Sequence, residues 1–105
     1  MTILDELTAE VRAFAIARDW LQFHTPKNLA MAIAGEAGEL AAEFQWLTAE
    51  ESVTEALNTE QLKAIRHEMA DVLIYLLRLS DVLHVDLVDA VREKLAINEV
   101  RFPSA

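Results

Sequence analysis

The sequence predicts an all-α chain, a four-helix-bundle-like fold completed by oligomerisation. Three observations carry that expectation. Only two glycines and two prolines interrupt 105 residues. Apolar residues recur at spacings of three and four, the repeat of a single helix face. One segment, Met69 to Leu79, is apolar nearly all the way round. A helix of that last kind has little face left for water, and the rest of so short a chain can hardly cover it on every side. A second copy is therefore expected to help bury it. The length and the 53% apolar composition fit one domain over residues 1–105 with a packed core.

The first helix is read from about Thr2 to Arg18, with Ile3, Leu7, Val11, Phe14 and Ile16 among its apolar positions. A connector, Asp19 to Pro26, follows. Its proline disfavours helix at Thr25 and suits the first turn of a second helix, which is expected to reach about Leu47. Thr48-Ala-Glu-Glu51 has the capping-box pattern, so a short helical turn is predicted between Thr48 and Leu57. The long helix runs from about Thr59 to Leu83. Asp86 is a natural N-cap for the last helix, about Leu87 to Val100, and Pro103 lies just past its end.

Charge and composition exclude several classes of function. Eighteen acidic residues against nine basic leave a formal charge of −9, which repels a nucleic-acid polymer over most of the surface. The first twenty residues mix Asp5, Glu6, Glu10, Arg12, Arg18 and Asp19 with apolar positions, unlike a secretory signal. The strongly apolar stretch from Met69 to Leu77 is interrupted by Asp71 and falls well short of the roughly 20 residues that a membrane span needs. There is no cysteine, hence no disulfide framework and no thiolate metal site; a cytoplasmic protein is the simplest expectation. Any metal must be held by oxygen or imidazole.

Two acidic pairs stand out from this background. Glu36 and Glu39 are spaced i, i+3 on the second helix, and Glu68 and Asp71 on the long one, so each helix presents two carboxylates on one side. Both pairs sit among apolar residues, where unpaired charge is costly and a hard divalent cation is the natural partner. Oxygen-only ligation describes magnesium (Mg2+) better than zinc. One such pair alone is most often an ordinary solvated helix surface. A non-catalytic helical oligomerisation or interaction module is accordingly the alternative. Di-iron carboxylate bundles use Glu-x-x-His pairs, and this chain has none.

The ordered run Gly35-Glu-Ala-Gly-Glu-Leu40, Phe44-Gln-Trp46 and Glu68-Met-Ala-Asp71-Val-Leu-Ile-Tyr75-Leu76 resembles the signature of the all-α MazG-like nucleoside triphosphate pyrophosphohydrolases. It is similar in particular to their dCTP pyrophosphatase branch, which also has counterparts of Arg18 to Pro26, His84 to Leu87 and Arg101-Phe-Pro103. That likeness spans about Arg18 to Pro103. It implies that Glu36, Glu39, Glu68 and Asp71 are catalytic magnesium ligands. It implies further that Trp20, His24, Trp46 and Tyr75 contact the nucleotide, and that Lys94 and Asn98 lie near its phosphates or a partner subunit. The activity implied is hydrolysis of a nucleoside triphosphate, dCTP or a modified analogue, to monophosphate and pyrophosphate. The setting implied is nucleotide-pool sanitation by a homodimer or homotetramer. Three positions depart from the pattern: Val11, where relatives can carry a histidine; Ala42, in place of a third acidic residue; and Glu99, where arginine is common. The first and last bear on base preference and phosphate affinity.

Overall fold

Each helix begins where a side chain satisfies its free amides. The computed structural model describes residues 1–105, and in it Thr2 and Asp5 cap one another's amides to open α1 (Ile3–Ala17). Thr25 caps α2 (Pro26–Ala42), with Pro26 in the first turn, where an N–H would have no helical partner. Asn58 and Gln61 form the reciprocal pair at α3 (Thr59–Leu83), and Asp86 caps α4 (Leu87–Arg101) as expected. The Thr48–Glu51 box also forms, ahead of a single 3-10 turn at Glu50–Ser52. A second 3-10 turn, Leu21–Phe23, lies in the first connector. There are no strands.

One boundary differs from the sequence expectation. α2 stops at Ala42 rather than near Leu47. The backbone bonds of Glu43 and Phe44 tighten to i→i−3, onto Leu40 and Ala41, and Leu47 bonds back to Phe44. The physical reason lies just downstream. Thr48 opens its own capping box, which requires the chain to have left the helix beforehand.

Two left-handed residues make the sharp exits from α1 and α3. After α1, Asp19 takes φ 56° while its amide bonds to Ile16 and the Trp20 amide reaches back to Ala15. After α3, His84 takes φ 57° while its amide bonds to Asp81 and the Val85 amide reaches back to Ser80. Both are Schellman turns, each made without glycine. The first aims the connector across the end of α1; the second separates α3 from α4 by only a few residues.

α3 is the axis of the fold, packing against α2 on one side and α1 on another. The buried residues are few: Ala15, Leu29, Ile65, Leu77, Arg78 and Ser80. α4 has no buried residue and touches the other helices mainly through its first turn, where Leu87 and Val88 face a cavity shared with α1 and the end of α3. The radius of gyration is 16.5 Å, against about 13 Å for a closed domain of this length. Met69, Leu73, Ile74 and Leu76 on α3 and Val91, Leu95 and Val100 on α4 remain exposed. No helix is long and apolar enough to cross a membrane.

Candidate functional site

The α2·α3 contact brings the two acidic pairs together. Glu36 and Glu39 come from α2, Glu68 and Asp71 from α3, and each offers a carboxylate oxygen within 4.8 Å of the others. The i, i+3 spacing places both members of a pair on the helix side that faces its neighbour. Glu39 is exposed; the other three are half-buried. Oε2 of Glu36 and Oε2 of Glu68 are buried with no hydrogen-bond partner. Burial pushes the Glu36 carboxyl above its ordinary value, and Glu39, Asp71 and Glu68 push it further. Burial likewise raises Glu68, reinforced by Glu39 and Asp71. No arginine or lysine bonds to the four. Clustered carboxylates with orphaned buried oxygens and no protein cation have the donor set and the electrostatic need of a divalent cation site.

A cavity of about 260 Å³ adjoins this cluster. Glu36 and Asp71 belong to its wall, so the carboxylates and the cavity form one continuous site. Val11 and Phe14 of α1, Trp20 and His24 of the connector, and Tyr75 and Arg78 of α3 line the rest. The aromatic rings are arranged edge to face: Phe14 and Trp20 have centroids 5.7 Å apart, Trp20 and His24 6.4 Å. The connector that carries them is pinned at several points. Gln22 donates to the Asp19 carbonyl, the Asn28 amide group to the Phe23 carbonyl, and the His24 backbone amide to Leu21.

Of the residues expected at the site, the four carboxylates, Trp20, His24 and Tyr75 are thus brought together. Trp46 is not: it lies in the turns beyond α2 and is 87% exposed. Lys94 and Asn98 lie on α4, none of whose residues lines the cavity. Within one chain these three are outside the site. Sequence reasoning missed Arg12 and Asp81 as parts of the cavity's support. Asp81 accepts both Nε and a terminal nitrogen of Arg12 at 2.7 Å each, and also bonds to Arg78. The i, i+3 spacing of Arg78 and Asp81 was visible in the sequence; their meeting with Arg12 from α1 and His24 from the connector was not.

Comparison with known proteins is consistent with this geometry. Residues 31–104 match the MazG-like family. The chain is 47% identical over 90 residues to dCTP pyrophosphatase 1 of Rattus norvegicus and 46% identical over 91 residues to dCTP pyrophosphatase 1 of Homo sapiens. These alignments cover 86% and 87% of this chain but 53% and 54% of the relatives, so the chain spans about half the length of the curated relatives it matches. A crystal structure of a pyrophosphatase from Archaeoglobus fulgidus superposes with a TM-score of 0.88 at 39% identity, covering 99% of this chain and 95% of that one.

Proposed function

This chain belongs to the MazG-like family, and from that premise we propose that it is a magnesium-dependent nucleoside triphosphate pyrophosphohydrolase. The observation that carries the reading is the double membership of Glu36 and Asp71. They stand both in the carboxylate cluster and in the wall of the aromatic cavity. A ligand spanning the two would lay a phosphate chain at the acidic end and a planar base among Trp20, His24 and Tyr75. Nucleoside triphosphates have that shape.

Glu36, Glu39, Glu68 and Asp71 would hold the cation, and hard oxygen donors with no imidazole or thiolate favour Mg2+. A bound divalent cation there supplies positive charge against the phosphates and acidifies a nearby water. The protein's own part is positional. The carboxylates would hold the cation at the acidic end of the cavity, where the phosphate chain would lie, while the aromatic wall seats the base, so that water can attack the α phosphorus. The bond to the bridging oxygen breaks, and pyrophosphate and a nucleoside monophosphate leave. Glu36 or Glu39 accepts the proton that the water loses. Trp20 offers a face for stacking, and Tyr75 and His24 offer edge hydrogen bonds that discriminate between bases. The curated relatives are named for dCTP, so dCTP or a modified analogue is the candidate substrate. The candidate role is sanitation of the cytoplasmic nucleotide pool.

The open apolar faces of α3 and α4 support a homodimer or homotetramer. Such an assembly gives exposed Trp46 a partner, and it gives Lys94 and Asn98 a route to a neighbouring site. The test of function is release of monophosphate and pyrophosphate from a panel of canonical and modified nucleoside triphosphates, with magnesium or with EDTA, for wild type beside Glu39→Gln. Turnover confined to the magnesium-loaded wild type is expected. No turnover of any nucleotide would refute the proposal and favour a purely structural helical module.

A further inference from the structure

His24 is the only histidine in the cavity wall, and its ring is held by a chain of ionic hydrogen bonds that the hydrolytic chemistry does not use. Nε of Arg78 donates to His24 Nδ1 at 3.1 Å. A guanidinium has donors only, so Nδ1 must be the acceptor and the ring proton must sit on Nε2. Arg78 is 7% exposed and shares its fork between two partners, with one terminal nitrogen bonded to Asp81. Asp81 is gripped in turn by the bidentate Arg12. The chain of contacts therefore runs from α1 through α3 to the connector, tying together the three elements that form this side of the cavity.

From this geometry we infer that Arg78, braced by Asp81 and Arg12, is a positioning residue that holds His24 as the Nε2–H tautomer, a donor for an acceptor atom of the nucleotide in the cavity. The inference rests on the proposed function for the identity of the occupant and on the hydrogen bonds alone for the tautomer. Electrostatics act in the same direction. Burial and the nearby Arg78 charge both lower the His24 pKa, disfavouring the imidazolium that would break the bond from Arg78. Asp81 pairs with the buried guanidinium, so Arg78 itself is not left as an unpaired charge. With Nδ1 committed, the remaining polar group of the ring is a donor. It can bind a carbonyl oxygen, an unprotonated ring nitrogen or a sugar oxygen, and it has nothing to offer an amino group. Arg78 thus selects which edge of a base the cavity accepts without needing to touch the base itself.

The test uses full-length protein labelled with 15N-histidine. Long-range 1H–15N spectra, assigned by the signal lost in His24→Gln, should show a single Nε2–H tautomer for His24 in wild type. Arg78→Met and Arg78→Lys should each give mixed tautomers. The lysine variant keeps the cation beside Asp81 but loses the fork that reaches two partners, so it preserves the test if the methionine variant fails to fold. In steady-state hydrolysis either variant should raise KM about five- to tenfold with a smaller change in kcat, the pattern of lost binding. The same substitution made on a His24→Gln background should add nothing. An Nδ1–H or mixed tautomer in wild type would overturn the proposal. So would an equal rise in KM on the His24→Gln background, because Arg78 would then act by another route. If wild type turned over no nucleotide, the functional reading and the donation to a nucleotide would both fall, whereas the tautomer would still be decided by the spectrum.

Discussion

Replacing one carboxylate of the cluster should stabilise the metal-free protein and weaken its response to magnesium. Glu36→Gln keeps the side-chain volume and removes one of four negative charges whose oxygens lie within 4.8 Å of each other. In a water-like dielectric a pair at that distance repels by about 0.9 kcal/mol. Three such pairs, reduced by roughly half by physiological salt, amount to about 1–2 kcal/mol. For a chain of this length that is a rise in Tm of about 5–10 °C. Wild type should behave in the opposite manner when magnesium is added: at about 100 times its dissociation constant a ligand of the folded state contributes about 2.7 kcal/mol, or roughly 12 °C. Thermal melts at pH 8, in EDTA and then across a magnesium titration, measure all four quantities. The variant should begin higher than wild type and gain less from the metal. A variant that melts below wild type in EDTA and retains the whole magnesium shift would refute the argument, since Glu36 would then be neither repelled by its neighbours nor a ligand.

Two further outcomes follow from the packing and the titration of the same residues. Leu29, 1% exposed and the anchor of α2 in a thin core, should lose about 2–4 kcal/mol on truncation to alanine, read as a lower denaturation midpoint at constant m-value. In EDTA the carboxyls of Glu36 and Glu68 are held above their ordinary 4.5, so the folded chain keeps protons that the unfolded chain has released. Their contribution to stability is therefore present below about pH 4.5 and is lost as pH rises through the raised values. Asp81, held below 3.8 mainly by the Arg12 hydrogen bonds, and His24, held below 6.5 by burial, act with the opposite sign and lose stability as pH falls. The difference in Tm between wild type and a Glu36→Gln, Glu68→Gln double variant isolates the first effect. The Tm of wild type minus that of the variant should fall with rising pH, as the repelling carboxylates ionise and wild type drops below the variant; a rise would show the sign to be wrong.

What the sequence by itself determined is the local code. Helix spacing, the cap at Asp86 and the Thr48–Glu51 box each depend on residues three or four apart, and apart from the end of α2 the elements appear where those rules put them. The four carboxylates were legible for the same reason: each pair is an i, i+3 pattern on one helix, and the resemblance linked the two pairs before any contact between α2 and α3 was known. Only the tertiary structure decided the rest. Arg12 and Asp81 meet across 69 residues and Arg78 and His24 across 54, and no periodicity relates such positions. Arg78, seven residues along α3 from Asp71, bonds to Asp81 and His24 and to none of the four carboxylates. Trp46, Lys94 and Asn98 show the complementary limit. Their types match a nucleotide site, but α2 ends at Ala42 and no residue of α4 lines the cavity, so all three lie outside it in their own chain. Pairing within a turn of helix is fixed by backbone geometry, whereas pairing between helices depends on which apolar faces bury one another, and that is decided only when the whole chain packs.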